Sequence, residues 1–212
     1  MKYKTEQENF WASEFGKEYI SRNNSETLLA SNLSFFSNCL KQAVNLKNCI
    51  EIGANIGMNL KALKILFPSI EMHAIEINAH AAKILSETIP AQNITNDSIL
   101  NVETIDKWNL VLSKGVLIHI NPDKLEEVYK KMYALSSKYI LIGEYYNPTP
   151  VEIKYRGHED RLYKRDFAGD MIDLFPDLVL LDYGFCYKRD RNFPQDDITW
   201  FLLEKVRMEK GN

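Results

Sequence analysis

The stretch Cys49-Ile50-Glu51-Ile52-Gly53-Ala54-Asn55-Ile56-Gly57-Met58-Asn59-Leu60 decides the fold. Ile50 and Ile52 are β-branched and suit a buried strand. Gly53 and Gly57 leave positions where backbone can approach a ligand with no Cβ in the way. Leu60, Leu63 and Phe67 then recur at helical spacing, and Pro68 ends the run. Strand, glycine turn and helix in that order predict the first half of a nucleotide-binding βαβ unit.

The spacing separates two ligand classes. A dinucleotide fold wants G-x-G-x-x-G, with a helix N-terminus aimed at a pyrophosphate. Here the pattern is E-x-G-x-N-x-G, with Glu51 two residues before the first glycine and Asn55 in place of a middle one. A carboxylate at that point suits a cationic ligand better than a diphosphate. The pattern resembles motif I of the class I S-adenosylmethionine (SAM) methyltransferases, usually E/D-x-G-x-G-x-G. An ordinary strand-to-helix turn of another α/β protein is the plainer alternative.

Two more acidic positions extend the resemblance. Ile70 to Ile77 reads as the next strand, and Glu76 stands 19 positions after Gly57. Nucleotide-binding folds place an acid about 20 residues beyond the glycines, on the ribose hydroxyls. Asn96-Asp97-Ser98-Ile99 follows a predicted third strand. The resemblance implies that Asp97 meets the adenine amino group, with Ile77, Ser98 and Ile99 beside it. Either carboxylate alone reads more simply as a solvated strand end. Three in register at strand carboxyl ends are much harder to obtain by chance.

The 212 residues suit one domain with a full core. The expected division is helices over 1–45, a core over 46–212 and a substrate loop at about 147–165. A net charge of -3 gives no footprint for nucleic acid. Cys39, Cys49 and Cys186 are scattered, odd in number and without metal spacing. They read as reduced thiols in a cytoplasmic protein. No zinc or Mg²⁺ constellation stands out. The polar N-terminus is unlike a signal peptide, and no apolar run approaches membrane-spanning length, so no membrane insertion is expected.

Residues 5 to 22 are predicted helical, with Phe10, Trp11, Phe15 and Tyr19 forming an aromatic stripe interrupted by Gly16. That helix packs on the core or, as in small-molecule methyltransferases, covers the cofactor as a lid. Arg22 is then a partner for the methionine carboxylate, or simply solvated. Asn24-Ser25-Glu26 caps a second helix to about Val44, with Leu28, Leu29, Leu33, Phe36 and Leu40 inward. Asn78 caps another through about Glu87.

Trp108 to Ser113 reads as the fourth strand. Ligands in open α/β sheets sit outside the carboxyl ends of the strands, so Ser113 and Gly115 are expected at the cofactor site. His119 is either a base near the methyl group or a histidine at a helix start. Asn121 caps and Pro122 opens the next helix, with Leu125, Val128 and Met132 inward. Lys138 to Tyr146 is the fifth strand. After Asn147-Pro148-Thr149-Pro150, residues 151 to 165 carry Tyr155, Arg156 and Arg165 among many polar side chains, and read as a solvated loop or a substrate loop. Asp166 to Phe175 reads as a helix. Val179 to Tyr187 and Thr199 to Lys205 read as an antiparallel pair. That ending predicts a Rossmann-like α/β sheet of seven mostly parallel strands with a terminal antiparallel hairpin.

One family resemblance covers nearly the whole chain. Asp182-Tyr183-Gly184-Phe185 through Arg189-Asp190, then Phe193-Pro194-Gln195-Asp196-Asp197-Ile198-Thr199-Trp200-Phe201-Leu202-Leu203-Glu204-Lys205, is similar to the pseudaminic acid biosynthesis-associated methylases. Phe10-Trp11, Phe15-Gly16, Tyr19, the Glu51 motif and Lys164-Arg165-Asp166-Phe167 also fit. The resemblance implies a SAM-dependent methyltransferase of surface-polysaccharide biosynthesis, with S-adenosylhomocysteine as product and a small polar acceptor. His119, Glu144 or Tyr146 is then the candidate base for a hydroxyl acceptor, and Arg156 and Arg165 the candidate clamps for an acidic sugar. The competing readings are a nucleic-acid or protein methyltransferase, a SAM-binding partner without catalysis and, more distantly, a nicotinamide oxidoreductase.

Overall fold

Apolar β-branched runs place the central strands between two helical layers. The computed structural model describes residues 3–13, 25–103, 105–155 and 158–206, without the side chains of 155 and 158–161. Its elements are α1 (Glu6–Ala12), α2 (Glu26–Cys39), β1 (Asn48–Ile52), α3 (Met58–Leu66), β2 (Glu71–Ile75), α4 (Ala79–Leu85), β3 (Ile94–Thr95), β4 (Trp108–Lys114), α5 (Leu125–Leu135), β5 (Ser136–Glu144), β6 (Val151–Tyr155), β7 (His158–Lys164), α6 (Phe167–Leu174), β8 (Leu178–Cys186) and β9 (Ile198–Lys205). Seven strands form one sheet in the order β3-β2-β1-β4-β5-β9-β8. The first five run parallel, and β9 is antiparallel to both β5 and β8.

Alternation along the strands divides the core in two. Ile50, Ile52, Val111, Ile140 and Ile142 face Val128 and Met132 of α5 and Met171 of α6. Cys49, Leu110, Leu112, Tyr139 and Leu141 face Phe35 and Phe36 of α2 and Leu60 and Leu63 of α3. Such side chains, buried on both faces of a parallel sheet, each contribute roughly 1.5–3 kcal/mol.

Register positions the functional end. Ile52 pairs with Ile75 on one side and with Ser113 on the other, and Lys114 pairs with Gly143. The carboxyl ends of β1, β2, β4 and β5 are therefore level. Gly53, Glu76, Gly115 and Glu144 all emerge along one edge of the sheet.

Several boundaries differ from the sequence expectation. The first helix ends at Ala12, where Ser13 turns extended. Phe15, Gly16, Tyr19 and Arg22 lie outside the described residues. The second helix stops at Cys39 rather than Val44, and Phe35 takes a buried place not assigned to it. The expected loop at 151–165 is a hairpin, β6 with β7, separate from the main sheet. Val151-Glu152-Ile153-Lys154-Tyr155 alternates apolar and polar residues as a half-buried strand does; only β7, with few apolar residues, lacks that pattern. Cys39 and Cys49 are buried free thiols and Cys186 is half-buried. No helix among the described residues is long and apolar enough to cross a membrane.

Candidate functional site

The level strand ends open onto a cavity of about 920 Å³, counting the space at its mouth. Gly53 and Asn55 after β1, Glu76 to Asn78 after β2, Asp97 to Leu100 after β3, and Gly115, Val116 and His119 to Asn121 after β4 form its walls. Thr5, Gln7, Glu8 and Trp11 of the N-terminal segment cover it.

Backbone donors hold the Glu76 carboxylate. The N–H of Asn55 donates to Oε2 and that of Asn78 to Oε1, both at 2.7 Å. Burial pushes the carboxyl pKa up, and those N–H groups pull it back. Each oxygen keeps a second lone pair for a ligand hydroxyl. Asn55 sits at φ 50, in the left-handed region. After glycine, asparagine tolerates that region well. This explains the asparagine in place of a middle glycine, since the turn that aims its N–H at Glu76 requires a positive φ.

Asp97 accepts from the Ser98 N–H at 2.7 Å and the Asn101 amide at 2.9 Å. Asn78 caps α4 through its Oδ1, as its sequence position predicts, and its Nδ2 donates to the carbonyls of Trp11 at 3.1 Å and Ser13 at 3.2 Å. One side chain thus ties the covering helix to the cavity wall. Trp11 packs on His119, ring centres 4.5 Å apart.

A second cavity lies across the partition made by Gly53, Asn55, Gly115 and Val116, which line both. Its other walls include Asn32, Asn59, Lys114, Tyr145, Gln195 and Asp196. Gly53 serves this partition: a Cβ there would stand 2.6 Å from Val116 Cγ2. Behind it, Glu51 is fully buried. Its Oε1 accepts from Asn59 Nδ2 at 2.6 Å, while Oε2 is buried with no hydrogen bond. Burial pushes its pKa up to about 8, against the Asn59 hydrogen bond and the Lys114 charge.

The structure brings Trp11, Gly53, Asn55, Glu76, Ile77, Asp97, Ser98, Ile99, Gly115 and His119 together around the first cavity. Glu51 stands behind that wall. Gly57 lines neither cavity; it starts α3 at φ 84, where a Cβ would meet Leu85 at 2.5 Å. Ser113 is fully buried and donates to Glu144 at 2.9 Å.

The candidate bases need correction. Glu144 is 2% exposed and lines neither cavity. Its carboxylate accepts from Ser113 and from the N–H groups of Val116, Leu117 and Ile118. It holds the turn after β4. Burial raises its pKa to about 7 against those hydrogen bonds. Tyr146 is 40% exposed and sits beside Phe201, outside both cavities. Arg165 is committed to Asp170, with Nε 2.6 Å from Oδ2 and Nη2 donating to Oδ1 at 3.0 Å, so it is not a free clamp. Arg156 and the side chain of Tyr155 lie outside what is described.

Sequence reasoning missed Asn32, Asn59, Lys114 and Gln195. Lys114 carried a signal: a lysine ending an otherwise apolar buried strand, one residue past the Ser113 that pairs with Ile52. Asn59 lies two residues past Gly57, within the motif itself, whereas Asn32 and Gln195 meet only through packing between distant segments.

No family profile matches the chain, and no curated protein matches it. Many solved structures do. The Burkholderia thailandensis 1,6-didemethyltoxoflavin-N1-methyltransferase, with bound 1,6-didemethyltoxoflavin and S-adenosylhomocysteine, is similar at TM-score 0.71 and 12% identity, over 94% of this chain and 88% of its own. The plantazolicin methyltransferase BpumL with S-adenosylhomocysteine gives 0.65 and 14%, over 95% and 94%. The magnesium protoporphyrin IX methyltransferase of Synechocystis PCC 6803 gives 0.66 and 10%, over 94% and 97%. The chain has the class I SAM-dependent methyltransferase fold.

Proposed function

We propose that this protein is a SAM-dependent methyltransferase acting on a small polar acceptor, with S-adenosylhomocysteine as product. The observation that carries this is the pair of carboxylates Glu76 and Asp97 at the ends of successive strands on one cavity, with Glu51 buried behind its wall. The residues fit the cofactor. Glu76 offers lone pairs to ribose hydroxyls, Asp97 to the adenine amino group, and Ile77 and Ile99 are apolar neighbours for the base. The unpaired Glu51 Oε2 suits the methionine ammonium.

The cofactor supplies an activated methyl group for direct displacement. The chain's part is alignment and exclusion of water. Trp11, packed at a tilt against His119, closes one side of the first cavity. Glu144 fixes the Val116 turn at the partition. His119 is the remaining candidate base, since Glu144 and Tyr146 lie away from the cavities. Tyr19, Arg22, Tyr155 and Arg156 remain proposed contacts to cofactor and acceptor. The three similar structures are by name methyltransferases of 1,6-didemethyltoxoflavin, plantazolicin and magnesium protoporphyrin IX, which favours a small-molecule or natural-product acceptor. Within that class, the C-terminal resemblance favours a sugar or nonulosonic-acid metabolite of surface polysaccharide. Residues 1–212 act as one domain. The free thiols favour the cytoplasm.

The test is calorimetric titration with S-adenosylhomocysteine, beside NAD, on wild type and Glu76→Ala. Binding of S-adenosylhomocysteine that weakens in the variant is expected. Binding of NAD instead, or of neither, sinks the proposal.

A further inference from the structure

Lys114 ends β4 inside the wall of the second cavity. Its ammonium donates one long hydrogen bond, 3.5 Å to Asn32 Oδ1, and stands 5.3 Å from the Phe35 ring centre. Among the described residues no carboxylate forms an ion pair with it. Glu51 acts on its charge from nearby without pairing with it: Oε1 accepts from Asn59 and Oε2 is left unbonded. Asp196 is exposed at the cavity rim, where water screens it. An ammonium carries three donors and, when withdrawn from water, needs partners for them.

The amides beside it are equally incomplete. Asn32 is 1% exposed and Gln195 7%. Gln195 Nε2 donates to Asn32 Oδ1 at 3.0 Å, so that oxygen serves two donors. Asn32 Nδ2 has no hydrogen-bond acceptor among the described residues. The wall therefore sets a cation and an amide N–H group side by side, each short of acceptors among the described residues. An anion placed there completes them.

Position says whose anion it is. A cofactor lying along Glu76 and Asp97 would occupy the first cavity and leave the second, across the Gly53–Gly115 partition, for another molecule. We propose, resting on the SAM reading above, that this cavity is the acceptor pocket and that Lys114, with Asn32, binds a carboxylate or phosphate of the acceptor. Arg165, the earlier candidate for this task, is held by Asp170.

The test is saturation-transfer NMR on protein saturated with S-adenosylhomocysteine, using glucuronate, glucose 6-phosphate and neutral methyl glucoside at millimolar concentration. One or both charged sugars are expected to bind at least tenfold more tightly than the neutral one, and which of them does so distinguishes carboxylate from phosphate. Lys114→Met is expected to remove that preference, Lys114→Arg to keep most of it, and both to leave S-adenosylhomocysteine affinity within about twofold. Equal signals from all three sugars, no signal from any, or a preference that survives Lys114→Met overturn the proposal. So does a Lys114→Met that weakens S-adenosylhomocysteine instead, since the ammonium then serves the cofactor's own carboxylate. The wild-type comparison stands even if Lys114→Met fails to fold. Failure of wild type to bind S-adenosylhomocysteine is a different result: it removes the methyltransferase reading and this proposal with it.

Discussion

Glu76 and Glu144 occupy the same kind of place. Each stands at the carboxyl end of a parallel strand, each is almost fully buried, and each accepts backbone N–H groups. Burial raises both carboxyl pKa values. Yet Glu76 lines a cavity and Glu144 does not. Glu76 is bonded by one N–H on each oxygen, Asn55 from the turn after β1 and Asn78 from its own turn. Glu144 is bonded by a hydroxyl and three successive N–H groups of one turn, which wraps over it and seals it from solvent. Residue type and strand position are shared; the difference lies in whether the donors leave lone pairs for a ligand.

Alanine at each position separates the two roles. Glu144→Ala orphans Ser113 and three N–H groups in a sealed site. Each unmet buried group costs about 1–3 kcal/mol, so a loss of about 3–5 kcal/mol is expected in denaturant unfolding. Glu144→Gln, which keeps one acceptor oxygen, is expected to lose less. A stable Glu144→Ala that lacks only methyl transfer would restore Glu144 as a base. Glu76→Ala borders an open cavity, where water can meet the freed N–H groups. Its main effect is expected on S-adenosylhomocysteine, about 10–100-fold in Kd, or about 1.4–2.8 kcal/mol. If its stability falls as far as that of Glu144→Ala while binding holds, the contrast between the two glutamates collapses.

Glu51 is the third case, buried like Glu144 but with an oxygen left unbonded. Its pKa of about 8 lies above the ordinary 4.5. The folded state therefore holds the proton more tightly than the unfolded chain. That contribution to stability is full below about pH 4.5 and is lost as pH rises through about 8. The slope is at most about 1.4 kcal/mol per pH unit. Thermal unfolding of wild type and Glu51→Gln from pH 5 to 8 is expected to show the variant gaining on wild type as pH rises. If the cofactor ammonium meets Glu51 as an anion, binding also releases a proton in this range. Calorimetry in buffers of different ionisation enthalpy counts it, and a count of zero separates Glu51 from the cofactor.

These contrasts mark what sequence can carry. The parallel sheet was legible because Ile50, Ile52 and the run through β4 and β5 follow strand periodicity, and the level strand ends follow from the topology. The walls of the first cavity were legible for the same reason: Gly53, Glu76 and Asp97 sit at fixed offsets from strand ends. Those of the second were not. Glu144 and Tyr146 were chosen by residue type, and nothing local in the chain says that a turn 26 to 31 residues earlier folds over Glu144. Asn32 and Gln195 meet across 163 residues. Arg165 was legible as a cation, but its partner Asp170 lies one helical turn on and was overlooked.

The smallest effect expected joins the two halves of the comparison. Glu144 fixes the turn that carries Val116, and Val116 occupies the space where a Cβ on Gly53 would stand. Gly53 has φ +68, so alanine there carries backbone strain of about 1–2 kcal/mol, and the contact adds to it. Two purposes for the missing Cβ make different predictions. If it chiefly admits Val116, Gly53→Ala with Val116→Ala is more stable than Gly53→Ala alone, because the second substitution removes the clash and leaves only the strain. If it chiefly admits the ligand, Val116→Ala brings no recovery, and Gly53→Ala weakens S-adenosylhomocysteine whether or not Val116 is shortened. A double-mutant cycle read by both unfolding and calorimetry distinguishes them. The 2.6 Å approach favours a positive coupling in stability, with the turn held by Glu144 pressing on the glycine of the motif.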